Sequence, residues 1–405
     1  MKTLILKAIK QTKNTTQKKS QILSLPEILK RLSEQLKSGN YQPSHFSCFA
    51  VEDPKIREIF APAYIDRIVH HILIDSISPA IDQTFIFDSY ANRTGKGIHK
   101  ATSRLQKFLQ KNNTSFYLQA DVKTFFPSID KKILNQLLIK HISHLKKFTE
   151  QEKSFFLNLA QVIVWHNPIY PTPLFTGNKH LLKKIPLNKS LFHQPLGKGL
   201  PIGSLTSQFF ANLYLNELDQ FIKHELKVKY YLRYVDDFIL LAGNPKILND
   251  YLTQIEHFLD KKLQLKLNPS KTVLQPSHHG INFLGYICRK KYLLVRKRSI
   301  KSFKRNLYFF NHLIDPQKFP FINPPNNSSL GKAFKTKTFI PPIEIEPIIL
   351  NKMLATINSY YGTFIFANTF KLRQSLYENH FHHLKKYFEP KDDDWKAMKI
   401  KKTFK

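Results

Sequence analysis

Two adjacent carboxylates, Asp236 and Asp237, lie between two short runs of aromatic and aliphatic residues, 230–235 and 238–241. Such runs favour β-strands, so the segment predicts a β-hairpin with both acids at its turn. A turn is needed because neighbouring side chains of a straight strand point to opposite faces. The two negative charges repel each other between apolar flanks. A divalent cation such as Mg²⁺, which prefers carboxylate and phosphate oxygens, would relieve that repulsion.

A second strand-like segment, 116–120, delivers another carboxylate, Asp121, at its end. If the two segments lie side by side, Asp121 and Asp236 come together across a sheet. That layout can hold two metal ions about 3.5–4 Å apart, as phosphoryl or nucleotidyl transfer requires. A lone Asp-Asp pair is more often a surface turn, so the second acidic strand is what favours a catalytic site.

These motifs resemble those of reverse transcriptases. Residues 233–238, Arg-Tyr-Val-Asp-Asp-Phe, are similar to the catalytic palm motif of that family, and Asp121-x-x-x-Phe125-Phe126 is similar to its first catalytic motif. The resemblance runs from about residue 60 to residue 385, with the motifs in the order of the family. It implies an α+β right-hand polymerase fold with fingers, an antiparallel-sheet palm and a helical thumb.

The turn at 196–203, which runs into a predicted helix from about Ser204, narrows the resemblance. Most relatives, such as group II intron and retron enzymes, carry Gln before the Gly and Pro after the Ser, whereas this chain has Ile202-Gly203 and Ser207-Gln208. That variant resembles the reverse transcriptases of diversity-generating retroelements, in which it accompanies misinsertion opposite template adenine. Ile202 cannot hydrogen-bond a nucleotide sugar, and apolar contact alone discriminates poorly. We therefore hypothesise an adenine-mutagenic polymerase.

By this resemblance the catalytic residues are Asp121, Asp236, Asp237 and Lys271, the last as a proton donor near the leaving pyrophosphate. The three carboxylates and the backbone of Val122 would bind two Mg²⁺ ions, or Mn²⁺ in their place.

Three further groups of residues follow from the same resemblance. A predicted strand near residue 85 leads into a Gly-punctuated basic turn, which resembles the segment that grips the triphosphate, and then into a helix from about Ile98. Phe126 would lie under the nucleotide sugar and exclude a 2′-hydroxyl. The nucleotide-binding residues are then Arg93, Lys96, Phe126, Ile202, Gly203 and Gln208, and the primer and template residues are Gly285, Tyr286 and Arg298.

The predicted domains are an N-terminal extension with the fingers (1–115), a palm (116–295) with a finger insertion at about 141–203, and a thumb (296–405). The thumb is expected to be helical, with a turn near Gly362, and to end in a basic tail. The Pro- and Asn-rich stretch 315–347 is expected to be a linker.

The composition indicates a polyanionic partner. The 63 Lys and Arg residues against 29 Asp and Glu residues give a formal net charge of +34, far more than solubility requires. No apolar run approaches a membrane span, and the early lysines argue against a signal peptide. Two cysteines give no disulfide framework and no zinc spacing. We therefore expect a cytoplasmic protein with no membrane partner, and the family resemblance implies that it is bacterial or phage-encoded.

The expected partners are a template RNA, a primer or cDNA strand, dNTPs and, by the resemblance, a small basic accessory protein that forms an oligomer with the enzyme. Two alternatives stay open. One is a reverse transcriptase of a retron, group II intron or phage-defence system, which would use the same chemistry. The other is a catalytically silent RNA-binding scaffold, against which the intact acids argue.

Overall fold

The chain divides into two compact units in a computed structural model that describes residues 1–12, 25–52, 55–320 and 345–404. The first unit comprises Met1–Ala101 and Phe116–Gln275, and the second comprises Thr102–Ser115 and Pro276–Lys405. All three predicted catalytic carboxylates belong to the first unit.

Helices and strands alternate irregularly along the chain, as in an α+β fold. The α-helices are α1 (Lys2–Gln11), α2 (Leu25–Lys37), α3 (Tyr64–Ile81), α4 (Ile98–Leu109), α5 (Phe125–Ser128), α6 (Lys131–Ser143), α7 (Glu150–Trp165), α8 (Lys179–Lys183), α9 (Leu205–Gln220), α10 (Pro245–Leu263), α11 (Lys297–Ile314), α12 (Pro347–Phe364) and α13 (Phe370–His380). The strands are β1 (Ser47–Val51), β2 (Arg57–Ala61), β3 (Phe116–Asp121), β4 (Leu174–Phe175), β5 (Tyr230–Tyr234), β6 (Asp237–Ala242), β7 (Val273–Pro276), β8 (Ile281–Phe283), β9 (Tyr286–Cys288), β10 (Leu293–Val295), β11 (Phe388–Pro390) and β12 (Met398–Ile400).

The central sheet of the first unit has the strand order β5-β6-β3-β7, and β6 runs antiparallel to both of its neighbours. Helix α10 packs against β3 and β6. It buries Leu248, Ile255 and Leu259, whose spacing of seven and four residues places them on one helix face. Helix α9 is buried almost all round and packs against α3 and α6. The sheet therefore has a well-packed apolar support beneath its acid-bearing ends.

A smaller sheet in the same unit has the order β2-β1-β4. Strands β1 and β2 form an antiparallel pair, and β4 adds to β1 in parallel. A separate apolar cluster lies against it and consists of Phe46, Cys48, Phe60 and Leu191. Cys48, like Cys288 of the second unit, is a buried thiol without a disulfide partner.

The second unit combines helices with two small antiparallel sheets, β10-β9-β8 and β11-β12. Helix α11 buries Phe303, Leu307 and Phe310 at helical spacing. The ring of Phe303 lies 5.9 Å from Tyr361 and 5.7 Å from Phe364, so α11 and α12 share an aromatic core.

The predicted α+β class is confirmed, and two local expectations are wrong. The segment predicted as a strand near residue 85 contains a 3₁₀ turn, Asp82–Thr84, and then irregular turns. The predicted basic tail contains strand β12, which buries Met398 and Ile400. The turn expected near Gly362 lies at 365–368, directly after α12, and Gly362 itself is in the last turn of that helix.

Most of the stretch predicted as a linker, 321–344, lies outside the described residues. Among the residues that the structure does describe, no helix combines the length and the apolar character needed to cross a bilayer.

Candidate active site

The acid-bearing segment forms the predicted hairpin. Tyr234 pairs with Asp237 across β5 and β6, so Val235 and Asp236 make the turn. Val235 has a φ of +56°, a left-handed conformation that is uncommon for a β-branched residue. The strained turn carries Asp236 past the end of β5 and starts β6 at Asp237.

The first acidic strand lies directly beside this hairpin. In the antiparallel pair of β3 and β6, Asp121 is opposite Asp237, and directly opposed residues point to the same face of a sheet. The Val122 backbone N–H donates to the Asp236 carbonyl at 3.2 Å, which ties the end of β3 to the turn. The prediction that the two acidic segments meet across a sheet is confirmed.

The carboxyl groups of Asp236 and Asp237 are crowded. Burial raises the pKa of Asp236 to about 6, with a further contribution from the charge of Asp121. Burial likewise raises the pKa of Asp237 to about 7, and the charges of Asp121 and Asp236 add to it. Part of each side chain still reaches the surface, but the surroundings exclude enough water to disfavour the charged forms. A cation beside these groups would favour their ionised forms.

Two polar side chains hold the acids in place. Gln119, two residues before Asp121 on β3, donates its amide N–H to both carboxylate oxygens of Asp237, at 3.0 and 3.3 Å. The Lys271 ammonium forms a short hydrogen-bonded ion pair with Asp121 Oδ2. The Asn268 backbone N–H donates to the Asp121 carbonyl at 2.8 Å. The predicted catalytic residues Asp121, Asp236, Asp237 and Lys271 are therefore brought together.

In the parts of the chain that the structure describes, no three His, Cys, Asp or Glu side chains already enclose a metal position. At Asp121 the nearest positive charge is the ammonium of Lys271. The donor set nevertheless fits a hard divalent cation, because it consists of carboxylate oxygens. Burial first, and repulsion between the carboxylates in addition, raises the pKa values of Asp236 and Asp237.

Two basic residues that the sequence analysis did not assign, Lys55 and Arg57, lie near the acids. The pKa of Lys55 is lowered, first by the charge of Lys271, then by burial and the charge of Lys189. Arg57, at the start of β2, lowers the pKa of Asp236. In the sequence these residues look like ordinary solvated charges. A basic residue on each side of Ile56 at the entry to a strand was the one available signal.

The predicted phosphate-binding turn is ordered by its own basic residues. All three guanidinium nitrogens of Arg93 donate hydrogen bonds, to both Asp82 carboxylate oxygens and to the carbonyls of Asp82, Ile86 and Ser89. The Lys96 ammonium donates to the Phe87 carbonyl at 2.7 Å and lies 3.6 Å from the centroid of that ring. Arg93 therefore braces the turn, and it must exchange some of these bonds before it can bind a phosphate.

Of the residues predicted to contact the nucleotide sugar and base, Ile202 and Gly203 lie against β2. Phe126 is partly exposed while Phe125 is buried, and the Phe126 carbonyl accepts from Leu200 N–H at 2.9 Å. The Ile202 carbonyl accepts from Phe60 N–H at 2.8 Å.

Gly203 has a φ of +120°, and a Cβ there would lie 2.8 Å from the Phe60 carbonyl oxygen, so only glycine fits. Gln208 is exposed on the first turns of α9.

The predicted primer and template residues belong to the second unit. Gly285 has a φ of +97° in the turn between β8 and β9. Arg298 is exposed in the first turn of α11. Tyr286 is only 1% exposed, and its hydroxyl donates to the Thr363 carbonyl at 2.9 Å. The Tyr286 ring is therefore part of the core of the second unit, and its role beside a primer or template stays a prediction.

The chain is similar to one known protein family and to individual proteins of Lactococcus lactis and Escherichia coli. A family profile described as reverse transcriptase (RNA-dependent DNA polymerase) matches residues 52–288. The group II intron-encoded protein LtrA of Lactococcus lactis subsp. cremoris is 23% identical over 410 residues, which cover 83% of this chain and 63% of LtrA. Protein YkfC of Escherichia coli K12 is 23% identical over 309 residues, 67% of this chain and 72% of YkfC.

Among solved structures, a telomerase from Candida albicans in complex with a fragment of telomeric RNA aligns with a TM-score of 0.45 and 13% identity. The alignment covers 87% of this chain and 56% of the telomerase.

Proposed function

The chain belongs to the reverse transcriptase (RNA-dependent DNA polymerase) family, and on that premise we propose that it extends a primer with dNTPs along an RNA template. The observation that carries the proposal is the register that sets Asp121 opposite Asp237, with Asp236 in the adjoining turn. A basic chain of net charge +34 suits two nucleic-acid partners.

Divalent metal ions are the cofactors of this chemistry. We propose that Asp121, Asp236, Asp237 and the Val122 backbone hold two Mg²⁺ ions, with Mn²⁺ as a substitute. When bound, such ions activate the primer hydroxyl and neutralise charge on the triphosphate. The chain itself supplies carboxylates that bind metal more readily in ionised form, and Gln119 keeps one of them oriented.

Several basic side chains would act on the phosphates. Lys55 and Arg57 lie close enough to the acids to change their electrostatics, and they can neutralise a triphosphate bound there. Lys271, beside Asp121, is the candidate proton donor to the leaving pyrophosphate. Arg93 and Lys96 are candidates for a second set of phosphate contacts once they release their present acceptors.

Residues near the sugar and base would set selectivity. The partly exposed ring of Phe126 is the candidate that excludes a 2′-hydroxyl. Ile202, Gly203 and Gln208 are candidates for the surface under the nascent base pair. In the second unit, Gly285 and Arg298 are candidates for the primer and template. The division into fingers (1–115 and about 141–203), palm (116–295) and thumb (296–405) is part of the same proposal.

At a finer level, we propose that the enzyme belongs to a diversity-generating retroelement and makes adenine-mutagenic cDNA for mutagenic retrohoming. The support is the Ile202-Gly203 and Ser207-Gln208 variant. This proposal brings with it a template-repeat RNA, a small basic oligomeric accessory protein and a bacterial cytoplasm. The alternative is a group II intron, retron or phage-defence reverse transcriptase, and the similarity to LtrA favours the first of these.

Primer extension on an RNA template tests the activity. The purified chain, with dNTPs and Mg²⁺, should extend an annealed DNA primer, and Asp236→Ala should not. The matched control is Asp250→Asn, which removes an exposed carboxylate on α10 of the same unit. Absence of extension by the wild-type chain with either Mg²⁺ or Mn²⁺, on primed templates that a known reverse transcriptase copies, would support the RNA-binding scaffold instead.

Sequencing of the cDNA tests the finer proposal. The wild-type enzyme should misinsert at template adenines far more often than at the other bases, and Ile202→Gln should lower that error. Equal error at all four template bases would favour the group II intron, retron or phage-defence alternative.

A further inference from the structure

A fully buried ion pair lies behind the catalytic hairpin. The side chains of Arg233 and Asp219 are both 0% exposed. Arg233 Nε donates to Asp219 Oδ1 at 2.8 Å, and Nη2 donates to Oδ2 at 2.6 Å. The Tyr231 hydroxyl donates to Asp219 Oδ1 at 2.6 Å. This bidentate hydrogen bonding between Arg233 and Asp219 fixes the plane of the guanidinium.

The third guanidinium nitrogen, Nη1, contacts the turn at Val235. Arg233 Nη1 donates to the Val235 carbonyl at 2.9 Å and to Asn212 Oδ1 at 3.3 Å. Val235 is the residue with the left-handed φ of +56°, immediately before Asp236. A strained conformation of this kind persists only where its surroundings hold it. The buried guanidinium is one such restraint.

The same network reaches the loop that precedes Arg93. Asn212 on α9 donates to the Ala91 carbonyl at 2.7 Å. The backbone of Arg233 accepts from Tyr90 N–H at 2.9 Å and donates to the Asp88 carbonyl at 3.0 Å. Arg233 therefore joins three elements of the first unit: the acidic hairpin, helix α9 and the loop at 88–91.

We propose that Arg233, fixed by Asp219, is a positioning residue that holds the Val235 turn so that Asp236 and Asp237 can share a metal ion. Because its side chain is completely buried, it acts through the turn and touches neither substrate nor metal. A buried ion pair is often replaceable by apolar residues without loss of stability, so stability alone does not account for it. The proposal rests on the proposed metal-dependent polymerase function.

The central variant is Arg233→Lys. A lysine keeps the charge beside Asp219 but has a single nitrogen in place of the planar fork, so it cannot also hold the Val235 carbonyl. We expect the variant to fold, to bind Mn²⁺ about 10-fold more weakly and to extend a primer about 10- to 100-fold more slowly, as is usual for a lost outer-shell contact. Paramagnetic resonance of free Mn²⁺ measures binding without requiring turnover.

Two further variants separate positioning from simple support of the fold. Tyr231→Phe keeps both charges and should weaken Mn²⁺ binding in the same direction by a smaller factor; it also serves if Arg233→Lys does not fold. Val235→Gly adopts a left-handed φ without strain. In a double-mutant cycle, Val235→Gly should therefore reduce the loss of Mn²⁺ affinity that Arg233→Lys causes.

The matched control is Glu217→Gln, which removes another ion pair of α9, with Lys140, and should leave the Mn²⁺ affinity within twofold. Unchanged Mn²⁺ affinity and unchanged Mg²⁺ dependence in the folded Arg233 or Tyr231 variant would overturn the proposal. If the wild-type chain itself shows no metal-dependent extension, the proposed function fails first, and the two outcomes are thereby distinguished.

Discussion

Replacing Asp237 by Asn should stabilise the metal-free protein at alkaline pH while abolishing polymerisation. The pKa of Asp237 is raised from 3.8 to about 7 in the folded chain. The folded chain therefore holds a proton that the unfolded chain releases between about pH 4 and pH 7. The free energy of unfolding contributed by this group is fully present below pH 4 and is lost as the pH rises through 7.

The size of this stabilisation follows from the rise in the pKa of Asp237. A rise in the pKa of Asp237 from 3.8 to about 7 corresponds to about 4 kcal/mol at pH 8. Asp237 is partly exposed, and salt screens its neighbours, so we expect about 2 kcal/mol of that to be measured. Asparagine resembles the protonated acid and can still accept from Gln119. Asp237→Asn should therefore be about 2 kcal/mol more stable than wild type at pH 8, and equal to it at pH 4.

Urea unfolding in EDTA from pH 4 to pH 8 measures this. The chain has two tryptophans, and in a Trp395→Phe background the fluorescence of Trp165 on α7 reports on the first unit alone. Added Mg²⁺ should stabilise the wild type more than the variant. Asp250→Asn, which replaces an exposed carboxylate on α10, is the control for removing a negative charge from the same unit. A variant no more stable than wild type at pH 8 would refute the electrostatic reasoning.

Three more predictions concern single side chains. Lys271→Met should slow single-turnover nucleotide incorporation about 100-fold while leaving the primer–template affinity within a few-fold. Rapid-quench kinetics measure the incorporation rate, and a binding assay measures the affinity. An unchanged incorporation rate would exclude proton donation by Lys271. Phe126→Ala should raise incorporation of ribonucleotides relative to dNTPs by about 10-fold or more, because the ring no longer blocks a 2′-hydroxyl. Competition between rATP and dATP measures this ratio. An unaltered ratio would show that Phe126 only packs in the protein and does not select the sugar. Gly203→Ala should lower the free energy of unfolding by about 1–3 kcal/mol, because the added Cβ would lie 2.8 Å from the Phe60 carbonyl oxygen. Thermal unfolding of the variant and the wild type tests this. If the variant is as stable as the wild type, the loop at Gly203 can move away from β2.

The acidic strands could be predicted because their signals are local. Aromatic and aliphatic runs on both sides of Asp236 and Asp237 indicate a hairpin, and the strand before Asp121 has the same character. The structure has β5, β6 and β3 at these positions. Helix starts near Ile98 and Ser204 were equally visible, because a glycine turn or a capping residue precedes an apolar periodic run.

The surroundings of the acids were decided by the tertiary structure. Lys55 and Arg57 are remote in sequence from Asp121 and Asp236. They belong to no strand of the central sheet, so the packing of the first unit, and not strand pairing, brings their charges near these acids. Tyr286 is a predicted primer or template residue by resemblance, and only the tertiary structure places its ring in the core, where its hydroxyl donates to Thr363 of α12. Arg93 reads as a phosphate ligand, yet its donors are taken by the loop around Asp82.

Arg233 shows most clearly which features the sequence determines and which depend on the tertiary structure. The order of residues by itself determines that a basic residue precedes the acidic turn at Val235 and Asp236. Whether its guanidinium faces water, a phosphate or a carboxylate depends on Asp219, fourteen positions earlier on another element. Local periodicity specifies strands, helices and turns, whereas the partner of a buried charge is chosen when those elements pack.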